Sequence, residues 1–64
     1  MIDFAKKIKE YREINLITQT ELAKILGVGT VSISRWESGK HKPTMAMKRK
    51  LKDLFVKSGM KVGE

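Results

Sequence analysis

The sequence predicts an all-α fold, a compact domain of four to five helices. Three observations predict it. Apolar residues recur at steps of three and four along most of the chain. Asn, Gly and Pro cut that pattern into pieces of helical length. No segment alternates with period two for long enough to make a strand. At 64 residues the chain is one domain. A domain of this size buries only about 60% of the surface that its unfolded form exposes. Every helix must therefore contribute to a single core.

The first helix is expected to start behind Asp3, whose carboxylate can cap it. Phe4, Ala5, Ile8, Tyr11 and Ile14 form its apolar stripe, and Lys6, Lys7, Lys9 and Glu10 its wet face. Asn15 is expected to stop it, since Asn tolerates the left-handed backbone. Thr18-Gln19-Thr20-Glu21 reads as a capping box opening a second, short helix. Leu22, Ala23, Ile25 and Leu26 give that helix its apolar face, and Gly27 ends it. Thr30 to Glu37 reads as a third helix, closed by Ser38-Gly39. Thr30, Val31 and Ile33 are β-branched, so tertiary packing must hold this helix. Lys40-His41-Lys42-Pro43 is a basic loop, and Thr44 caps the last helix. There Met47, Leu51, Leu54 and Phe55 make one stripe. The domain is expected over residues 1–59, with residues 60–64 a flexible C-terminal tail.

Composition narrows the function. Fourteen Lys and Arg oppose seven Asp and Glu, a net charge of +7. The excess is uneven. Residues 1–37 carry six cations and five carboxylates, a net +1, whereas residues 38–64 carry eight and two, a net +6. A half so basic points to a polyanionic partner. There is no Cys and a single His, so no metal cluster and no cofactor are expected. No Ser/His/Asp set, carboxylate pair or Gly-rich phosphate loop is visible, and no enzyme is expected. No apolar run approaches the roughly 18 residues of a membrane span, and residues 1–7 lack the uninterrupted apolar stretch of a signal peptide, so none is expected. A soluble, cytoplasmic protein is expected.

From Gln19 to Ser38 the spacing becomes specific: a helix, a Gly-bearing tight turn and a second helix. Ala23 is small where two helices would cross closely, and Gly27 opens the turn. Leu22, Leu26, Val28, Ile33 and Trp36 fall toward one core. Thr30, Val31, Ser34 and Arg35 fall outward, as side chains that can meet base edges in a major groove. Thr18-Gln19-Thr20-Glu21-Leu22-Ala23-Lys24-Ile25-Leu26-Gly27-Val28, then Ile33-Ser34-Arg35-Trp36-Glu37-Ser38-Gly39-Lys40 and Lys42-Pro43-Thr44 resemble the lambda-repressor-like (Cro/repressor, XRE) helix-turn-helix family. The resemblance covers roughly residues 5–57.

The resemblance implies site residues. Thr30, Val31, Ser34 and Arg35 match its base-facing positions. Gln19, Ser32, Ser38, Lys40 and Lys42 match or neighbour positions that contact the DNA backbone. Arg12 and Glu37 match a pair that forms an internal salt bridge. Two features depart from the family: Leu16 stands where Gly is usual, and Lys48 and Arg49 stand where apolar residues are common. The second departure reads as one continuous basic last helix.

Trp36 invites a base-stacking role, but its one-turn spacing from Ile33 reads as core; Tyr11 reads the same way. His41 reads as a solvated loop residue rather than a ligand. The implied function is a sequence-specific regulator of transcription, acting as a repressor of bacterial or phage type. It would bind a palindromic double-stranded operator as a homodimer, with Leu54, Phe55, Val56 and Met60 as interface candidates. The alternative is an antitoxin-like module that binds a toxin and represses its own operon. A membrane-surface role is weaker, since the basic last helix has no aromatic anchor except Phe55.

Overall fold

Three of the four helices begin where a side chain satisfies the free N–H groups of the first turn. The protein is described here from a computed structural model over residues 3–61. Its helices are α1 (Phe4–Asn15), α2 (Gln19–Leu26), α3 (Thr30–Ser38) and α4 (Met45–Lys57). The backbone N–H of Lys6 donates to the Asp3 carboxylate at 3.3 Å, capping α1. The capping box of α2 is complete. Glu21 N–H donates to Thr18 Oγ1 at 3.1 Å, and Thr18 N–H donates to Glu21 Oε1 at 2.8 Å. Thr44 Oγ1 accepts from the Met47 N–H at 3.3 Å at the start of α4. Only α3 lacks such a cap: Gly29 stands at its N-cap, and Thr30 is already helical.

The α1–α2 turn differs from its sequence expectation. Asn15 remains helical, and Leu16 takes the left-handed conformation, at φ 55° and ψ 45°. The backbone thus makes the turn that the family makes with Gly, and Leu16 carries the strain. Asn15 serves another purpose: its Nδ2 donates to Tyr11 O at 2.9 Å and to Ser58 Oγ at 3.1 Å, tying α1 to the end of α4. Gly27 behaves as expected, ending α2 at φ 73°.

The core lies between all four helices. Ile8, Leu22, Ile33, Leu51 and Phe55 are fully buried, each worth roughly 1.5–3 kcal/mol of apolar burial. Tyr11, Ala23, Leu26, Trp36 and Met60 complete the cluster. Phe55 anchors its aromatic part, with ring centroids 6.1 Å from Phe4 and 6.0 Å from Tyr11. α3 packs against α1 and α2, and α4 packs against α1. Two residues assigned to apolar faces are instead exposed, Ile14 and Ile25. Each sits at the edge of its helical stripe, beyond the reach of the neighbouring helix.

The end of the chain also departs from expectation. Met60 is buried at 7% exposure, and its N–H donates to Phe55 O at 3.0 Å. Packing therefore extends past residue 59. Lys61 is exposed, and residues 62–64 of the expected tail lie outside the described residues. Phe55 and Met60 belong to the core and Leu54 is half-buried, so among the proposed interface residues only Val56 presents a largely exposed side chain. Among the described residues there is no fifth helix and no strand, and no helix is long and apolar enough to cross a membrane.

Candidate nucleic-acid interface

Burial of one side of α3 decides what the other side offers. Ile33, Trp36 and Glu37 face inward. Thr30, Val31, Ser34 and Arg35 are therefore presented together, all exposed, with Val31 62% exposed. Ser32 is half-buried at the flank. An exposed Val among polar neighbours loses nothing by packing on a thymine methyl. Arg35 forms no ion pair among the described residues, which leaves its guanidinium free.

Two further elements border this face. Gln19 opens α2, half-buried, and its Nε2 donates to Glu37 Oε1 at 3.1 Å. The amide is held against α3 rather than extended into solvent. Thr20, the next residue, is exposed and brings its Oγ1 within 3.4 Å of Thr30 Oγ1. Thr20 was not singled out from the sequence. Its only signal was its place beside Gln19 in the first turn of α2, a turn whose N-terminal end favours anions.

At the other end the basic loop is fastened to α3 through one carbonyl. Lys40 N–H donates to Arg35 O at 3.1 Å, and Ser38 Oγ donates to the same oxygen at 3.0 Å. Ser38 Oγ also accepts from Lys40 N–H at 3.4 Å. The Ser38 hydroxyl thus shapes the loop while remaining exposed. Gly39, at φ 79°, lets the chain turn back, and the side chains of Lys40 and Lys42 are solvent-exposed. Buried Pro43 fixes where the loop meets α4.

A polar tie sets the position of α3. Arg12 Nε donates to Glu37 Oε2 at 2.5 Å and Nη2 donates to Glu37 Oε1 at 2.9 Å, a bidentate pair. Arg12 Nη1 also donates to Ile17 O at 3.4 Å. One guanidinium thereby joins α1, the α1–α2 turn and α3. Burial pushes the Glu37 carboxyl up, but hydrogen bonds from Arg12 and Gln19 and the charges of Arg12 and Lys9 outweigh it. The net result is a carboxyl below its ordinary value. The hydrogen bond to Glu37 raises Arg12 against a smaller opposing effect of burial. Among the described residues no buried side-chain N or O lacks a partner, so the tie is fully satisfied. Among them, too, no group of three His, Cys, Asp or Glu could hold a metal ion.

The comparisons with known proteins agree with this geometry. The family described as Helix-turn-helix matches residues 8–55, most of the chain. An uncharacterized HTH-type transcriptional regulator of Methanocaldococcus jannaschii is 39% identical over 49 residues, which cover 77% of this chain and 74% of that protein. No solved structure matches the chain. The all-helical core, the α2–turn–α3 unit and the match over residues 8–55 place the protein in the lambda-repressor-like helix-turn-helix family, whose members are DNA-binding regulators of transcription.

Proposed function

We propose that the protein represses transcription by laying α3 in the major groove of a specific double-stranded operator. The observation that carries this reading is the exposed face of Thr30, Val31, Ser34 and Arg35, flanked on one side by the α2 N-terminus and on the other by Lys40 and Lys42. Thr30, Val31, Ser34 and Arg35 read base edges. Gln19, Ser32, Ser38, Lys40 and Lys42 fix the register on phosphates, and Thr20 joins them. Contacts of the first kind specify, and contacts of the second kind position.

The protein acts on DNA as a homodimer in the cytoplasm. A nine-residue helix is about 13 Å long and reads roughly four base pairs, too few to pick out one operator. Half-sites one helical turn apart are separated by about 34 Å, and the longest extent of this domain is 27 Å. One copy cannot span two half-sites, so a second copy supplies the other on a palindromic site. Repression is steric: an occupied operator excludes polymerase.

Arg35→Ala and Lys42→Ala separate the two kinds of contact in a binding assay on specific and random duplexes. Arg35→Ala is expected to cost about 1–3 kcal/mol on the operator and little on random DNA, since a bidentate guanine contact is lost. Lys42→Ala is expected to weaken both duplexes alike. Equal weakening of both duplexes by Arg35→Ala would contradict base reading by that residue.

A further inference from the structure

On the flank of the domain, beyond the DNA-facing side of α3, a groove runs between the start of α1, the end of α3 and the start of α4. Its volume is about 490 Å³, within the roughly 300–1,000 Å³ of small-molecule sites. Its walls are largely apolar: the rings of Phe4 and Trp36, and Pro43. Its polar lining is mostly cationic or hydrogen-bonding, with Lys42, Lys48 and His41 opposed by one acid, Asp3. The Asp3 carboxylate already accepts the Lys6 N–H, so part of its charge is engaged in capping α1. The Lys48 ammonium sits 5.7 Å from the centre of the Phe4 ring. It lies over that ring, so a ligand ring resting on Phe4 displaces the ammonium, which stays within reach of the ligand's acid group.

We propose that this groove binds a small amphipathic anion, an aromatic carboxylate or sulfonate whose ring rests on Phe4 and Trp36 and whose acid meets Lys48 and Lys42. Ring surface supplies contact area, and the two lining lysines supply the choice of charge. A neutral ring of the same shape would gain the first and not the second. A cation would meet like charges.

The site would also regulate. Lys42 lines the groove and stands in the basic loop, and Trp36 and Gly39 line it from the end of α3. A bound acid that holds Lys42 removes one phosphate contact and lowers affinity for DNA. DNA must then lower affinity for the acid by the same factor. This regulatory half rests on the proposed DNA reading; the binding site itself does not.

The test uses DNA-free protein, with 8-anilinonaphthalene-1-sulfonate as the anionic probe and N-phenyl-1-naphthylamine as its neutral analogue. Trp36 is the only Trp, so its emission reports occupancy of the groove together with the probe's own fluorescence. Saturable one-to-one binding of the anion is expected, with the neutral analogue weaker. Lys48→Glu should weaken the anion at least fivefold, from the loss of a partly exposed charge pair. Ala5→Leu, which narrows the groove, should weaken both probes. Ile14→Ser, on an exposed apolar residue outside the groove, should leave both unchanged. Melting of each variant confirms its fold, and Lys48→Glu alters a helix surface position, so it remains informative if Ala5→Leu unfolds. Non-saturable binding, indifference to Lys48→Glu, or loss with Ile14→Ser would overturn the site. Anion binding with unchanged affinity for DNA would overturn only the regulatory half.

Discussion

Leu16 is the residue at which the chain departs from both its family and backbone preference. A left-handed φ of 55° costs an L-residue roughly 1–2 kcal/mol, and at 90% exposure Leu16 recovers nothing by packing. Leu16→Gly should therefore raise stability by about 0.5–1 kcal/mol after the greater unfolded-state freedom of Gly is subtracted. Thermal melting would show a rise of a few degrees; an unchanged or lower midpoint would mean that the side chain stabilises the turn after all. Glu37 is the opposite case, a buried charge with every partner in place. Glu37→Gln should cost about 2–3 kcal/mol at neutral pH, because Arg12 loses its charge-assisted partner. The pair was legible in the sequence only through the family resemblance. Nothing in the spacing of 12 and 37 shows that they meet, and the Gln19 amide joining them was not anticipated at all. That contact depends on where α2 crosses α3, which is a tertiary fact.

Helix starts and stops were more legible, because they are local chemistry. Asp3, Thr18 and Thr44 cap as their side chains dictate, and Gly27 stops α2. Ile14 and Ile25 were misplaced because periodicity gives a face without saying how wide the neighbouring helix is. Sequence places Met60 in the tail because it follows Gly59, yet a left-handed turn at that Gly, φ 78°, returns it to the core. Gly27→Val should lower the melting midpoint and DNA binding together. No atom stands within 4 Å of a Cβ built there, so the cost is the positive φ alone. Native melting would show that the α2–α3 turn tolerates a side chain. The α1–α3 tie also has a pH signature. A carboxyl lowered by folding adds stability that is present above its unfolded pKa and is lost as pH falls through its folded value. The midpoint should hold through neutral pH and drop on acidification through and below the ordinary carboxylate range. In Glu37→Gln that drop should be smaller; an identical acid profile would remove Glu37 from the account.

For the whole molecule, the proposed reading of DNA rests on charge and symmetry. The net +7 lies almost wholly in residues 38–64, and the loop between α3 and α4 brings part of it beside the exposed face of α3. If about six phosphates are neutralised per dimer, log affinity should fall with log salt at a slope near −5. A slope near zero would contradict the phosphate contacts. The fold class and the exposed face of α3 followed from pattern and resemblance. The groove on the flank did not, since it joins the first residues of α1 to residues between 36 and 48. In the proposed complex, α3 reads a base sequence in two symmetric copies. Selection of bound duplexes from a random pool tests it most directly. A palindromic consensus is expected, with half-sites of about four base pairs centred roughly 10 base pairs apart. Recovery of sequences with no consensus, bound in proportion to length alone, would contradict it.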